Sequence, residues 1–204
     1  MPTVTSVTVQ VKNKNRCSIF VDGEFLCGIP TEVAVKNRLS KGLELSKEQL
    51  DFILEEGMQQ EAFDKGLTYV SKNLKTKKQV KDYLLGKGYP EKSVWACVDK
   101  LKEYGYIDDV AYSKRFIEST KNTQGKRLIE YKLMQKGVKK EDIEKAFLQL
   151  DITFESEALN VAKKHLRNKE ITKENLQKTY RYLIGKGFSY EETSKAISYF
   201  KEMD

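Results

Sequence analysis

The fold is decided by three stretches that align without gaps: LLGKGYPEKSVWACVDKL at residues 84–101, LMQKGVKKEDIEKAFLQL at 133–150 and LIGKGFSYEETSKAISYF at 183–200. The offsets between them are 49 and 50 residues. Each stretch contains a Lys-Gly pair, an apolar residue directly after the glycine, and apolar residues at matching places further on. Self-similarity at such a period is typical of tandem helical repeats. The sequence therefore predicts three copies of one helical unit.

Each unit is predicted to contain three helices. The repeated glycines (Gly88, Gly137 and Gly187) fit the position just after a helix, where a left-handed backbone favours glycine. The helix that follows presents apolar residues on one face, which makes them core positions. These positions are Cys97, Ala146 and Ala196; Val98, Phe147 and Ile197; Leu101, Leu150 and Phe200. Upstream, amphipathic stretches at about 58–72, 110–121 and 154–168 predict the first helix of each unit.

The first sixty residues have a different pattern. Apolar and polar residues alternate over 3–11, a second β-rich run covers 17–21, and residues 13–16 between them predict a turn. Asp22-Gly23 predicts a two-residue hairpin. Helical patterns follow at 32–39 and from Ser46, where Gln49 completes a capping box. The expected fold is mainly α: a small three-stranded antiparallel β-sheet with short helices (1–59) precedes three tandem three-helix repeats (60–108, 109–151, 152–204) in an elongated curved array.

Composition and charge limit the function classes. The chain has 204 residues, of which 39% are hydrophobic and 33% charged, so a disordered chain is excluded. The first thirty residues lack a signal-peptide pattern and no apolar run is long enough to span a bilayer, which predicts a cytoplasmic protein without membrane contact. The net charge is +7, and all of the excess follows residue 60. This asymmetry and the elongated array favour a long anionic partner.

The basic residues form a cluster between the first and second helices of each repeat, and these clusters are the candidate contacts for DNA or an acidic protein filament. Cluster 1 is Lys72, Lys75, Lys77, Lys78 and Lys81; cluster 2 is Lys121, Lys126, Arg127 and Lys132; cluster 3 is Lys163, Lys164, Arg167 and Lys169. Trp95 lies outside the core register, and we expect it to pack at the edge of the core.

No catalytic residue, metal site or cofactor is expected. The adjacent carboxylates of Asp108 and Asp109 suit magnesium, but capping of the helix near Val110 explains both more simply. The cysteines are odd in number and lack C-x-x-C spacing, which predicts reduced thiols. His165 has no second histidine or cysteine within helical reach, so it is not expected to bind a metal.

The central repeat resembles a known family. The matching residues run from Leu101 through Gly105, Asp108-Asp109 and Ala111-Tyr112 to Arg115-Phe116, and continue from Gly125 through Arg127, Ile129 and Leu133 to Gly137-Val138. This pattern resembles the signature of the RecX family of bacterial regulators of the RecA recombinase, and the likeness extends over essentially the whole chain. The chain differs from the family at Lys126, where proline is frequent, and at Gly66, where an alanine-sized residue is usual.

The resemblance implies a non-enzymatic monomer that binds RecA and its filaments on single-stranded DNA, with double-stranded DNA as a further candidate partner. It also implies that the protein mainly inhibits recombinase and co-protease activity, which restrains recombination and the SOS response. Two alternatives remain. One is a RecA-independent DNA-binding protein with a helix-turn-helix in a repeat; the other is an enzyme that acts on nucleic acid through Asp108 and Asp109.

Overall fold

The structure, a computed structural model, describes residues 1–202. Its first elements form an antiparallel sheet of β1 (Val4–Gln10), β2 (Asn13–Val21) and β3 (Glu24–Pro30) in that order. The Asp22-Gly23 hairpin is confirmed, with φ of +50° and +89°. The turn predicted at 13–16 is wrong, because Asn13 already pairs with Gln10 and the chain reverses at Val11 and Lys12. The polar residues after Asn13 are exposed at the hairpin tip, where a strand needs no apolar side chains.

One face of this sheet builds the first core. Ile19 and Ile29 are buried there against Val33 of the short helix α1 (Thr31–Lys36). The helix predicted to reach residue 39 ends at Lys36, because the chain leaves helical geometry at Arg38, whose φ is +52°. The sheet and α1 thus form a compact head with its own apolar interior.

A single long helix, α2 (Lys47–Val70), follows the head. The predicted capping box is confirmed, since Ser46 accepts from the backbone N–H of Gln49 and the Gln49 side chain accepts from that of Ser46. Two separate helices were expected here, but α2 runs through residue 58 without a break. Its glycines serve close packing: a Cβ on Gly57 would lie 2.9 Å from Ile29 Cγ2, and one on Gly66 would lie 2.7 Å from Cys97 Sγ.

The C-terminal half of α2 is the first helix of repeat 1. It packs with α3 (Lys77–Leu85) and α4 (Glu91–Glu103) around a core that contains Val80, Leu84, Val98 and Leu101. The head and this core belong to one compact unit, Met1–Leu74 with Gln79–Ile107. The boundary predicted at residues 59 and 60 lies inside α2.

The second compact unit contains Lys75–Lys78 and the chain from Asp108 onward. Repeat 2 consists of α5 (Asp109–Thr120), α6 (Lys126–Gln135) and α7 (Lys140–Leu150); repeat 3 consists of α8 (Glu155–Leu166), α9 (Lys173–Gly185) and α10 (Tyr190–Lys201). Both repeats contribute to one hydrophobic core. The predicted core positions are buried in all three repeats except Leu150, which is half-buried at the end of α7.

The three glycine turns adopt the backbone that the repeat predicts. Gly88, Gly137 and Gly187 have φ of +85°, +81° and +88°. Each follows the second helix of its repeat, and the apolar residue after it donates its backbone N–H to the last turn of that helix. The turns therefore end α3, α6 and α9 in the same way and direct the chain into the third helix.

Candidate functional site

The basic clusters lie where the sequence predicts, around the loop that joins the first and second helices of each repeat. In cluster 1, Lys72 and Lys75 follow α2, and the other members lie on α3. In cluster 2, Lys121 caps α5, and the other members lie on α6. Cluster 3 lies at the end of α8 and in the loop after it. Contact of these residues with DNA or protein stays a prediction.

Cluster 2 is weakly neutralised by the protein's own carboxylates. Lys126 Nζ lies 3.9 Å from Glu130 Oε1 and 5.1 Å from the centre of the Phe147 ring. The Arg127 guanidinium lies 5.4 Å from the ring centre of Tyr190, which is largely exposed. Within residues 1–202, Lys121 and Lys132 form no ion pair. The positive charge of this loop is thus left available to an external anion.

Cluster 3 combines cations with an aromatic stack. The His165 ring stacks on Tyr182 at 4.3 Å, and Lys169 Nζ lies 3.1 Å from His165 Nε2. Burial, together with the nearby Lys169 charge, lowers the pKa of His165, so its ring is neutral at pH 7. Nε2 then accepts from Lys169, and Nδ1–H donates to Thr179 Oγ1 at 3.0 Å. Lys164 and Arg167 have no carboxylate partner in the part of the chain that the structure describes.

A carboxylate outside cluster 1 holds one of its lysines in place. Lys81 Nζ lies 3.2 Å from Glu91 Oε1 and 4.3 Å from the ring centre of Trp95. The hydrogen bond from Lys81 lowers the pKa of Glu91, which also accepts from Trp95 Nε1 at 3.4 Å. Trp95 is 45% exposed, which agrees with its position outside the core register.

A repeated contact, not predicted from the sequence, lies at the start of the second helix in repeats 1 and 2. Within the second unit, Thr76 Oγ1 donates to the Lys136 carbonyl oxygen at 2.7 Å, just before α3 begins. Similarly, the Gly125 N–H donates to the Lys186 carbonyl at 2.9 Å, and the Arg127 N–H donates to the Gly187 carbonyl at 3.1 Å. The start of one second helix thus rests on the glycine turn of the next repeat.

In repeat 3, a residue of the same repeat caps the start of the second helix. Thr172 Oγ1 accepts from the backbone N–H of Asn175 at 3.2 Å and so caps α9. By contrast, Gly125 supplies no side-chain cap to α6. The repeated contact therefore fixes the cluster residues at the starts of α3 and α6, whereas α9 has its own cap.

The two adjacent aspartates cap two different helices. Asp108 Oδ1 accepts from the N–H groups of Val110 and Ala111 at 2.8 and 3.0 Å, which confirms the predicted cap of α5. Asp109 lies in the first turn of α5, as expected, and its Oδ1 accepts from the Lys77 N–H at 3.0 Å, at the start of α3. The fold brings these residues together across 32 positions of sequence. Asp109 is buried.

The two roles of Asp109, charge and acceptor, are separable by substitution. We expect Asp109→Ala to lower the free energy of unfolding by about 1–3 kcal/mol, because Lys77 N–H loses its acceptor, and Asp109→Asn by less than ~1 kcal/mol. Burial raises the pKa of Asp109 despite the bond from Lys77. Folding therefore takes up a proton between about pH 3.9, the unfolded value, and the raised folded pKa. Across that window the wild type should gain stability relative to Asp109→Asn as the pH falls.

Urea unfolding of the wild type and both variants at a series of pH values measures these differences. A variant-to-wild-type gap that does not change with pH would show that the Asp109 carboxyl is not perturbed in the folded protein.

Among residues 1–202, no three His, Cys, Asp or Glu side chains lie close enough together to hold a metal ion. Cys17, Cys27 and Cys97 are free, and Cys17 and Cys97 are buried. Burial raises the pKa of Cys97 to about 11, so its thiol is not ionised at neutral pH.

Across residues 1–202, none of the helices combines the length and the apolar content that crossing a bilayer requires.

Four family models match the chain along most of its length. They are the RecX N-terminal domain at residues 2–46, and the first, second and third RecX three-helix domains at 62–101, 108–146 and 155–197. The three-helix matches coincide with the three repeats described above.

Similar proteins and structures agree with these matches. A regulatory protein RecX of Clostridium beijerinckii is 34% identical over 100% of this chain and 98% of its own, and that of Clostridium tetani is 32% identical over 96% and 93%. A crystal structure of regulatory protein RecX has a TM-score of 0.77 at 28% identity over 95% of this chain and 98% of its own. The structure of RecX from Lactobacillus salivarius, at 23% identity and a TM-score of 0.64, covers 71% of this chain and 97% of its own and supports the fold. The chain belongs to the RecX family of regulatory proteins.

Proposed function

We propose that this protein is a monomeric, non-enzymatic regulator in the bacterial cytoplasm. It binds RecA and RecA filaments on single-stranded DNA and mainly inhibits recombinase and co-protease activity, which restrains recombination and the SOS response. The observation that carries the proposal is the recurrence of a basic cluster at the same loop of every repeat. The regulatory names of its full-length relatives give the proposal its partner.

A protein filament on DNA has a repeating anionic surface, which the basic clusters of this protein can contact. Phosphates recur along a nucleic acid strand, and a chain that places cations at intervals contacts several of them at once. Clusters 2 and 3 suit this role best, because only Lys126 of their members approaches a carboxylate within 4 Å among the residues described. The aromatic rings beside Arg127 and Lys163 add apolar contact area for a base or an acidic side chain.

The test is RecA's ATP hydrolysis on single-stranded DNA, measured while this protein is titrated in at two salt concentrations, beside binding to the same DNA alone. We expect hydrolysis to fall at protein concentrations far below those that saturate naked DNA. If it falls only when naked DNA is already coated, the protein is a competing DNA binder. Tight sequence-selective binding to duplex DNA without RecA would favour the helix-turn-helix alternative, and magnesium-dependent turnover would favour an enzyme.

Neutralising cluster 2 should change the salt dependence of binding. If the side chains of Lys121, Lys126 and Arg127 each contact a phosphate, replacing all three by alanine reduces the slope of log K against log salt by about 2, at ~0.7 per contact on single-stranded DNA. The matched control removes three lysines at the start of α7 and on it, in the same repeat: Lys139, Lys140 and Lys145. An equal change in both variants would mean that only net charge matters and would reject phosphate contact by cluster 2.

A further inference from the structure

Repeat 3 contains an apolar groove beside the N-terminal half of α9. The groove has a volume of about 350 Å³. Ile197 of α10 and Leu176 of α9 are buried in its wall, and Ile171 and Tyr180 are half-buried. Gln177, Lys173 and Lys201 complete the lining. The groove lies wholly within the second unit.

Two positions of the groove are occupied by basic residues in the other repeats. Counting from the repeated glycine, Leu176 occupies the position of Lys126 in repeat 2 and Lys77 in repeat 1, and Gln177 occupies that of Arg127 and Lys78. In repeat 2 the Lys126 ammonium lies over Phe147, whose aligned residue in repeat 3 is Ile197. Repeat 3 thus has an apolar groove where repeat 2 has a cation over an aromatic ring. Two positions of this surface are therefore uncharged where the other repeats have cations.

The charges at the edge of the groove indicate the charge of the ligand that it binds. Lys173 at the start of α9 and Lys201 at the end of α10 are exposed, and neither forms an ion pair within the described part of the chain. The nearby carboxylate of Glu174 is already bound to Lys178 Nζ at 2.6 Å. A concave apolar floor with cations at its edge matches an apolar side chain with carboxylates on either side.

We propose that the groove binds an acidic protein segment that inserts one large apolar side chain between α9 and α10. This inference rests on the proposed function and deepens it: repeat 3 contacts the protein of the filament through this groove, and the basic clusters contact the nucleic acid. The inserted side chain displaces water from Ile171, Leu176, Tyr180 and Ile197, and Lys173 and Lys201 pair with the flanking carboxylates.

The test compares two groove variants of the full-length protein with the wild type. Tyr180→Ala removes one wall of the groove, and the double variant Lys173→Glu/Lys201→Glu reverses the charge at its edge without touching the core. The matched control, Lys139→Glu/Lys145→Glu, makes the same charge change on the exposed surface of repeat 2. Circular dichroism during urea unfolding checks that each variant is folded.

In the absence of DNA, we expect the double groove variant to bind RecA about tenfold more weakly than the charge control, and Tyr180→Ala about tenfold more weakly than the wild type. The affinity of each for naked single-stranded DNA should equal that of its reference. Equal RecA affinity in groove and control variants would overturn the inference and leave the proposed function standing. Concentration-dependent self-association that the groove variants abolish would assign the groove to a second copy of this chain and also overturn it.

A second probe separates failure of the inference from failure of the proposed function. It is a synthetic peptide of glutamates around one central leucine, with the leucine replaced by alanine as the control. If the wild type does not bind RecA, the proposed function fails, and the peptide decides the inference. Methyl NMR signals of Ile171 and Ile197 that shift with the leucine peptide alone support the groove, and signals that do not shift overturn it.

Discussion

Replacing Gly187 by alanine is expected to lower the free energy of unfolding of the second unit by about 2–5 kcal/mol. The left-handed backbone at φ +88° is unfavourable for a residue with a Cβ by ~1–2 kcal/mol. In addition, a Cβ at this position would lie 2.4 Å from the backbone nitrogen of Leu128, which the α6 helix holds in place. Overpacking of this kind contributes roughly 1–3 kcal/mol more. Urea unfolding followed by circular dichroism measures the loss.

Gly88→Ala is the matched control, because the aligned glycine has nearly the same φ, +85°, but a Cβ there meets no atom within 4 Å. Only the backbone effect of about 1–2 kcal/mol is expected for its own unit. The difference between the two variants therefore measures how tightly the glycine turn packs on the start of α6. Equal losses would mean that this junction is looser than the structure describes.

Removing residues 1–59 is expected to abolish the cooperative unfolding transition of repeat 1. The truncated chain keeps only the last eleven residues of α2 (60–70) and loses the Ser46 cap, and helices shorter than about 12–15 residues are marginal without support. It also loses the bond between Arg16 Nη1 and Glu61 Oε1, 2.8 Å long. The unfolding of repeats 2 and 3, which share their own core, should persist in the same experiment.

A chain that begins at Ser46 is the control for this truncation. It lacks the sheet of the head but retains the whole of α2 with its capping box, so repeat 1 should keep its transition at reduced stability. If the chain that begins at residue 60 retains repeat 1 equally well, the N-terminal half of α2 contributes nothing to that repeat.

The features that the sequence predicted correctly depend on neighbouring residues. A left-handed turn requires glycine wherever it occurs, so Gly88, Gly137 and Gly187 were recognisable from their spacing alone. The Asp22-Gly23 hairpin and the Ser46 capping box likewise involve residues within three positions of one another. For the candidate site, the same local patterns gave the position of each basic cluster relative to the helices.

The features that the sequence did not predict depend on residues distant in the chain. Asp109 looks like part of a local cap, and only the packing of α5 brings it to Lys77. Gly57 lies inside α2, and its close approach to Ile29, 28 positions earlier, depends on the packing of α2 against the head. In the candidate site, the stacking of His165 on Tyr182 and the groove beside Leu176 arise where two helices of repeat 3 pack together.

The cap that Thr172 gives to α9 also bears on how the protein could be lengthened by design. The starts of α3 and α6 depend on a following repeat for their hydrogen bonds, so each of those repeats can accept a neighbour. Repeat 3 satisfies its own helix start, which is the property of a terminal module in a repeat array. An engineer who wishes to extend the chain should therefore insert copies of repeat 2 ahead of repeat 3, and leave the last module at the end.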